Sequence, residues 1–526
     1  MPCLGGFFRD ESIPSELLDT SPVPINQEQG LPSCLLGSLV SWPVQLLVLV
    51  TSDLSKPAST AADRPENLRR VAVLGGGITG LTAAWRLHRA GWLPVVFEQS
   101  ARVGGVIGEA GGSGWLHELG PNSILEGSAE VAAVVEEAGL TGRRLYASET
   151  AKRRYIVRGG RPVAMPASPF GFLRSDLFSW RAKFGLLAEP FRRRGRGDVD
   201  ETVADFVLRR LGKEFLDYAV DPFVAGVYAG DPGGLSVGHG FPKLYRLEQE
   251  YGSLILGAIR RRNPSGGPAG RLFSFPNGLQ ELPVALANGL GEAVRTGHAV
   301  QGVRRIEDGW QVDFEAAGGR RSENFSAVVC ALPADALAEL EFGNVPAGAR
   351  LSILRDIVHP PVASVFTGYR RSDVLHPLDG FGLLVPRVEQ GRILGTLFSS
   401  TLFPGRAPDG FVGLTSFVGG MRQPELAASD DPELTASVTA ELRRYLGARG
   451  TPVFTHVQRW PRAIPQYAPG YQRFKDAIAA AENSAPGLFI GGNCRDGISL
   501  ANCIESGARL ADAVTRSSAN AASRRR

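Results

Sequence analysis

The stretch VAVLGGGITGLTAAWRLHRAGWLPVVFE, Val71 to Glu98, restricts the possible folds of this chain more than any other. Val71 to Leu74 is a short apolar run of the kind that forms a fully buried strand. Gly75, Gly77 and Gly80 follow in the spacing G-x-G-x-x-G. The first permits a tight turn, the second lets a pyrophosphate approach bare backbone, and the third lets a helix pack close to the strand. Ile78, Leu81, Trp85 and Leu87 give that helix an apolar side, and Gly91 ends it. Leu93 to Phe97 reads as a second strand with Glu98 at its tip, eighteen residues after Gly80. A carboxylate there accepts both hydroxyls of an adenosine ribose. A lone glycine fingerprint is weak evidence. With strand, helix, second strand and acid in register, it reads as a dinucleotide-binding βαβ unit.

Arg102-Val103-Gly104-Gly105 stands just after the second strand and adds a guanidinium and two unobstructed amides. Two phosphate charges need such partners, and a nicotinamide-binding unit does not usually carry this second clamp. The pairing resembles FAD enzymes of the flavin amine oxidase superfamily. Further on, the Leu119-Gly120-Pro121-Asn122 turn brings backbone forward at Gly120 and Asn122, suited to contact with a flat ring. The chain end repeats the pattern: strand Leu488 to Ile490, turn Gly491-Gly492-Asn493, then Gly497-Ile498-Ser499-Leu500 opening a helix from about Asn502 to Val514. Free amides at a positive helix end, aimed at a flavin's pyrimidine edge, would stabilise the charge of its reduced form. Gly492, Ile498, Ser499 and Leu500 are therefore expected in the same cofactor domain as Gly75.

At 526 residues the chain is long enough for two or three domains. A net charge of only +4 excludes a nucleic-acid footprint over the whole molecule. The five cysteines are too scattered for a disulfide framework, and the seven histidines show no metal-ligand spacing, so no metal is expected. Residues 1–68 differ from the rest: acids outnumber bases, and Leu31 to Val50 is uncharged but interrupted by Pro32 and Pro43. They read as a disordered extension or the product of a start site called too early, with a membrane anchor as the third option.

Met165 to Arg196 interleaves Phe170, Phe172, Leu173, Leu177, Phe178, Trp180, Phe184, Leu186, Leu187 and Phe191 with Arg174, Arg181, Lys183 and Arg192-Arg193-Arg194. Aromatics beside basic residues suit a peripheral membrane segment. Residues 199–262 are helix-rich. Gly297 to Val303 with Trp310 to Phe314 reads as a hairpin, and period-two segments over 350–420 suggest a second, largely antiparallel sheet.

GVYAGDP at Gly226 to Pro232, GFGLLVP at Gly380 to Pro386, GTLFSSTLFPGRAP at Gly395 to Pro408, RWPRAIPQY at Arg459 to Tyr467 and the Gly497 to Gly507 segment together resemble the protoporphyrinogen/coproporphyrinogen oxidase family, over about Val71 to Val514. The resemblance implies an α/β fold. A Rossmann-like FAD-binding domain would come from 69–148, 271–335 and 455–516, and a mixed-sheet substrate domain from 149–168 and 336–454. A helical membrane-binding domain would occupy 169–270, with a disordered tail at 517–526. It implies non-covalent FAD, held by Gly75, Gly77, Gly80, Glu98, Arg102, Gly104, Gly105, Gly120, Asn122, Gly492, Ile498, Ser499 and Leu500, with Val300 meeting the adenine. Arg154 would pair with a propionate of the tetrapyrrole, Phe381 would pack on a pyrrole ring with Leu384 nearby and Gly382 leaving room, and Gly226 would sit against the reacting carbon. Phe417 aligns with a pocket-lining position.

The implied activity is oxygen-dependent oxidation of protoporphyrinogen IX to protoporphyrin IX, six electrons in three two-electron transfers to FAD, with hydrogen peroxide produced. Such chemistry needs a positioned C–H and a flavin rather than a nucleophile or metal. The implied setting is the cytoplasm, at the inner face of the cell membrane, with porphyrinogen, dioxygen and the membrane surface as partners, no nucleic acid, and a homodimer left open. Coproporphyrinogen III is the alternative substrate. Another amine oxidase-type enzyme or carotenoid-type desaturase fits less well, since amine oxidases usually carry Gly-Glu where Gly492-Asn493 stands and lack GVYAGDP. A catalytically silent flavin-binding scaffold is the reading from a different class.

Overall fold

The structure is a computed structural model that describes residues 69–195, 197–260, 270–346 and 351–524. The expectations for residues 1–68 lie outside the described residues.

Val71, Ala72, Val73 and Leu74 have no solvent exposure because strand Arg70–Leu74 is central to a five-stranded parallel sheet. Its order is Val294–Arg295, Leu93–Phe97, Arg70–Leu74, Ala327–Cys330, Leu488–Ile490. A strand buried on both faces must be apolar throughout, and its alternation then decides which core each side chain joins. Val71 and Val73 face a core with the glycine-turn helix Ile78–Arg89 and the C-terminal helix. Ala72 and Leu74 face the hairpin Ala299–Ile306 with Gly309–Ala316, through Phe97, Trp310 and Phe314.

The second sheet has seven strands in the order Phe454–Trp460, Val362–Arg370, Phe411–Gly419, Gly395–Leu397, Gly382–Leu384, Arg154–Arg158, Arg161–Ala164. All pairs are antiparallel except Gly382–Leu384 with Arg154–Arg158, which run parallel and set Gly382 opposite Arg154. A parallel pair needs a long crossover, and the helices between Pro169 and Arg260 lie within that connection.

Three expected boundaries are corrected. Strand Phe454–Trp460, assigned to the cofactor domain from residue 455, is laddered to Val362–Arg370 in the second sheet. Residues 336–346 and 351–357, assigned to the substrate domain, pack instead on the cofactor side: strand Glu341–Gly343 pairs with Ala299–Ile306, and Leu337, Leu340, Leu354 and Ile357 share a core with Leu74. The tail expected to be disordered from 517 is helical through residue 524, because the last helix runs Leu500–Arg524.

In the helical region, Phe172, Leu177, Phe178 and Leu186 are buried, while Phe170, Leu173, Trp180, Phe184 and Leu187 are exposed and Phe191 is 89% exposed. Lys183, counted among the surface cations, is buried and donates to the Leu173 and Ser175 carbonyls, both at 2.8 Å. Arg174, Arg181, Arg193 and Arg194 are exposed. No helix among the described residues is long and apolar enough to cross a membrane.

Candidate active site

Gly77 caps helix Ile78–Arg89 without any side-chain hydrogen bond, so the first amides of that helix point out unsatisfied. Gly75 has φ +103°, in the region that only glycine adopts without strain. At Gly80 a Cβ would lie 2.0 Å from the Gly75 carbonyl oxygen, so the helix sits on the turn only because position 80 has no side chain. At Gly77 a Cβ would meet nothing within 4 Å, which leaves bare backbone facing open space. The second glycine turn closes on the first: the Gly104 amide donates to the Gly76 carbonyl at 2.8 Å, and a Cβ at Gly105 would be 3.5 Å from the Gly77 Cα.

Glu98 is buried at the edge of this cradle, its two carboxylate oxygens accepting from the Gly76 and Ser100 amides, each at 2.8 Å. Those bonds fix the carboxylate and leave lone pairs for hydroxyl donors. The His298 amide donates to the Glu98 carbonyl at 2.9 Å, which brings Val300, half-buried against the hairpin core, close to the same edge. The Arg102 guanidinium donates to the Val103, Gly105 and Ile107 carbonyls, so it shapes the loop carrying Gly104 and Gly105. Gln280, which sequence reasoning missed, reinforces that loop by donating to the Val103 carbonyl at 2.9 Å.

The Leu119–Asn122 turn is pinned from outside. Trp460 Nε1 donates to the Leu119 carbonyl at 2.9 Å, Asn122 Nδ2 donates to the Gly120 carbonyl at 2.9 Å, and a Cβ at Gly120 would be 2.4 Å from the Val106 oxygen. Trp460 lies in RWPRAIPQY, a marker from which no role could be read in sequence. Gly492 (φ +113°) also offers an open Cα face. Ser499 Oγ accepts from the Asn502 amide at 3.1 Å at the start of the last helix, beside half-buried Leu500. That helix reaches the glycine-turn helix so closely that a Cβ at Gly507 would be 2.4 Å from the Thr79 oxygen. Ile498 packs on both the hairpin core and the helical core, and Leu384 joins it on the latter.

Arg154 lies over the Phe381 ring with its guanidinium carbon 5.3 Å from the centroid. Leu384 Cδ2 is 2.5 Å from where a Cβ on Gly226 would stand, so Leu384 packs directly on the helix backbone at Gly226, which is otherwise exposed. Phe417 packs beside Ala225 and Ala229, on either side of Gly226 in sequence. The parallel pairing thus sets Arg154 beside the strand that follows Phe381 and carries Leu384, while Leu384 contacts Gly226 and shares the helical core with Ile498.

Open glycine faces, an uncapped helix start and a fixed buried carboxylate fit the diphosphate and ribose of FAD, and the fold and site define an FAD-dependent oxidoreductase. The profile of the family described as flavin containing amine oxidoreductase matches residues 78–515. The mitochondrial protoporphyrinogen oxidase of Nicotiana tabacum is 35% identical over 487 residues, covering 87% of this chain and 96% of that one. The coproporphyrinogen III oxidase of Bacillus subtilis (strain 168) is 27% identical, covering 85% and 98%. The solved structure of cyclohexylamine oxidase from Brevibacterium oxydans IH-35A shares the fold at a TM-score of 0.65 and 17% identity, over 86% of this chain and 99% of that one. The chain belongs to the flavin containing amine oxidoreductases and, within them, to the protoporphyrinogen oxidase family.

Proposed function

We propose that the protein oxidises protoporphyrinogen IX to protoporphyrin IX, with dioxygen as the final electron acceptor and hydrogen peroxide as the second product. The 35% identity over 96% of the tobacco oxidase carries this reading, and the contacts of Arg154 with Phe381 and of Leu384 with Gly226 support it. Bound FAD supplies a two-electron acceptor, held by the amides of Gly77 and Gly105 and by Glu98. Arg154 attracts a propionate carboxylate, Phe381 offers a ring face to a pyrrole, and the exposed Gly226 backbone, with Leu384 packed beside it, meets the edge bearing the reacting carbon. The Bacillus relative keeps coproporphyrinogen III as the second reading.

The exposed face of Phe170, Trp180, Phe184, Leu187 and Phe191, with Arg174, Arg181, Arg193 and Arg194 exposed near them in sequence, suits peripheral binding to an anionic membrane on the cytoplasmic side. Porphyrin fluorescence and peroxide release, measured with each porphyrinogen, test the function. Turnover of protoporphyrinogen IX at the higher kcat/KM is expected. Preference for coproporphyrinogen III would move the assignment to the second reading, and failure on both would reject it.

A further inference from the structure

The helix that carries Gly226, Asp221–Tyr228, is held at both ends by the same two segments. Asp221 is buried, and its Oδ2 accepts from the Arg422 guanidinium at 2.6 Å and from the Arg387 amide at 2.8 Å. Arg422 also donates to the Asp221 carbonyl at 3.2 Å and to the Val385 carbonyl at 2.6 Å, one residue beyond Leu384. At the far end, Ala229 sits at φ +49° and its carbonyl accepts from the Met421 amide at 2.7 Å, next to Arg422. Arg387, whose amide serves Asp221, sends its guanidinium to Asp231 at 2.5 Å. A π-helical turn, Leu216–Val220, leads directly into the helix, a feature often found at functional sites.

A buried ion pair is a weak device for stability, because desolvation offsets much of the attraction, but a good one for fixing geometry. We infer that Asp221 and Arg422 are positioning residues for catalysis. Their pair braces the helix against strand Gly382–Leu384 and so fixes where the Gly226 backbone lies against Leu384. The inference rests on the reading of the exposed Gly226 backbone as the surface that meets the porphyrinogen's reacting carbon. It adds that the place of this backbone is set from outside by the Asp221 and Arg422 side chains. Arg422 reaches the Asp221 carboxylate, the Asp221 carbonyl and the Val385 carbonyl with one planar fork, which a lysine cannot do.

The test compares Asp221→Asn, Arg422→Lys and the double variant Asp221→Asn/Arg422→Gln with wild type, all FAD-loaded. Because small displacements of reacting groups are costly, kcat with porphyrinogen should fall on the order of tenfold, with KM changed less than about threefold. Bound flavin spectrum, reduction by dithionite and reoxidation by dioxygen should match wild type. The double variant leaves no unpaired charge, so it keeps the measurement open if a single variant does not fold, and it should stay slow. Adding Gly226→Ala to the double variant should cost less than it does in wild type, since both act on the Gly226–Leu384 contact. FAD-loaded variants with kcat within about twofold of wild type would overturn the inference. So would a fall in kcat matched by a fall in dithionite reduction, which marks general damage. Wild type inactive on both porphyrinogens would instead bring down the reading of the Gly226 surface, and the inference with it.

Discussion

Around Gly77 the binding surface is backbone, and the tightest contacts on its glycines are with backbone atoms too: the Gly75 oxygen against position 80, the Val106 oxygen against position 120, the Ile107 oxygen against position 104. Around Gly226 the surface is made of side chains, and the atom crowding that glycine is the free end of Leu384. A carbonyl oxygen in a buried turn cannot move without moving a strand, whereas a leucine can change rotamer. The cofactor side should therefore fail abruptly under substitution and the substrate side by degrees.

Gly80→Ala gives the largest expected effect. A methyl 2.0 Å from the Gly75 oxygen must push the helix off the turn, and overpacking of that kind costs about 1–3 kcal/mol or more. The variant should purify without yellow colour or not remain soluble, as flavin absorbance of the purified protein will show. A fully FAD-loaded Gly80→Ala enzyme would break the comparison.

Arg154→Ala probes the other side. A charge-assisted bond to a carboxylate contributes roughly 1.5–3 kcal/mol, so kcat/KM should fall on the order of ten- to a hundredfold. The cofactor spectrum should not change, because Arg154 belongs to the second sheet. Activity within about twofold of wild type would remove the propionate role. Gly226→Ala should be milder. Leu384 can turn aside at a cost of about 0.5–1.5 kcal/mol, which corresponds to a loss of about two- to tenfold in kcat with FAD retained.

The same contrast explains what could be read in the sequence. Gly75, Gly77, Gly80 and Glu98 were legible because the motif is local: one turn, one helix and one strand fix their geometry, and the spacing records it. The pairing of Arg154 with Gly382 across the helical region leaves no periodic trace, and only family resemblance put Arg154 and Phe381 at one site. Arg422 is invisible in sequence, since nothing near it announces a partner at Asp221. Arg102 shows a second role that its position did not announce: beside Gly104 and Gly105 it reads as a phosphate clamp, and three of its N–H groups also tie together the carbonyls of its own loop. The boundary at 454–460 was misread because an alternating strand gives no sign of which sheet it will edge.

The smallest effect concerns the seam between the two regions, strand Trp115–Glu118. Trp115 stacks on Phe454 at 5.4 Å and His117 on Phe366 at 4.5 Å, both from the second sheet. Glu118 turns the other way, accepting from the Leu279 amide at 3.0 Å and Ser274 Oγ at 3.3 Å, with Arg406 3.6 Å off. Burial pushes the Glu118 carboxyl up to about 7, against the pull of Arg406. Burial, helped by His456, pushes His117 down to about 4. The signs oppose. Native Glu118 keeps a proton that the unfolded chain releases near 4.5, so its contribution is full below that pH and is lost as pH rises toward 7. Native His117 refuses a proton that the unfolded chain takes up below 6.5, so stability rises with pH from about 4 to 6.5. In wild type the two nearly cancel between about 4.5 and 6.5. Glu118→Gln should uncover the histidine: its stability relative to wild type should rise by ~3 kcal/mol from pH 4.5 to 7. His117→Phe should show the opposite trend, losing its advantage over wild type as pH climbs to 6.5. Denaturant midpoints across this range decide it. Parallel profiles for both variants and wild type would mean that neither group keeps its native charge state at the seam, and that the two regions meet there through apolar stacking alone.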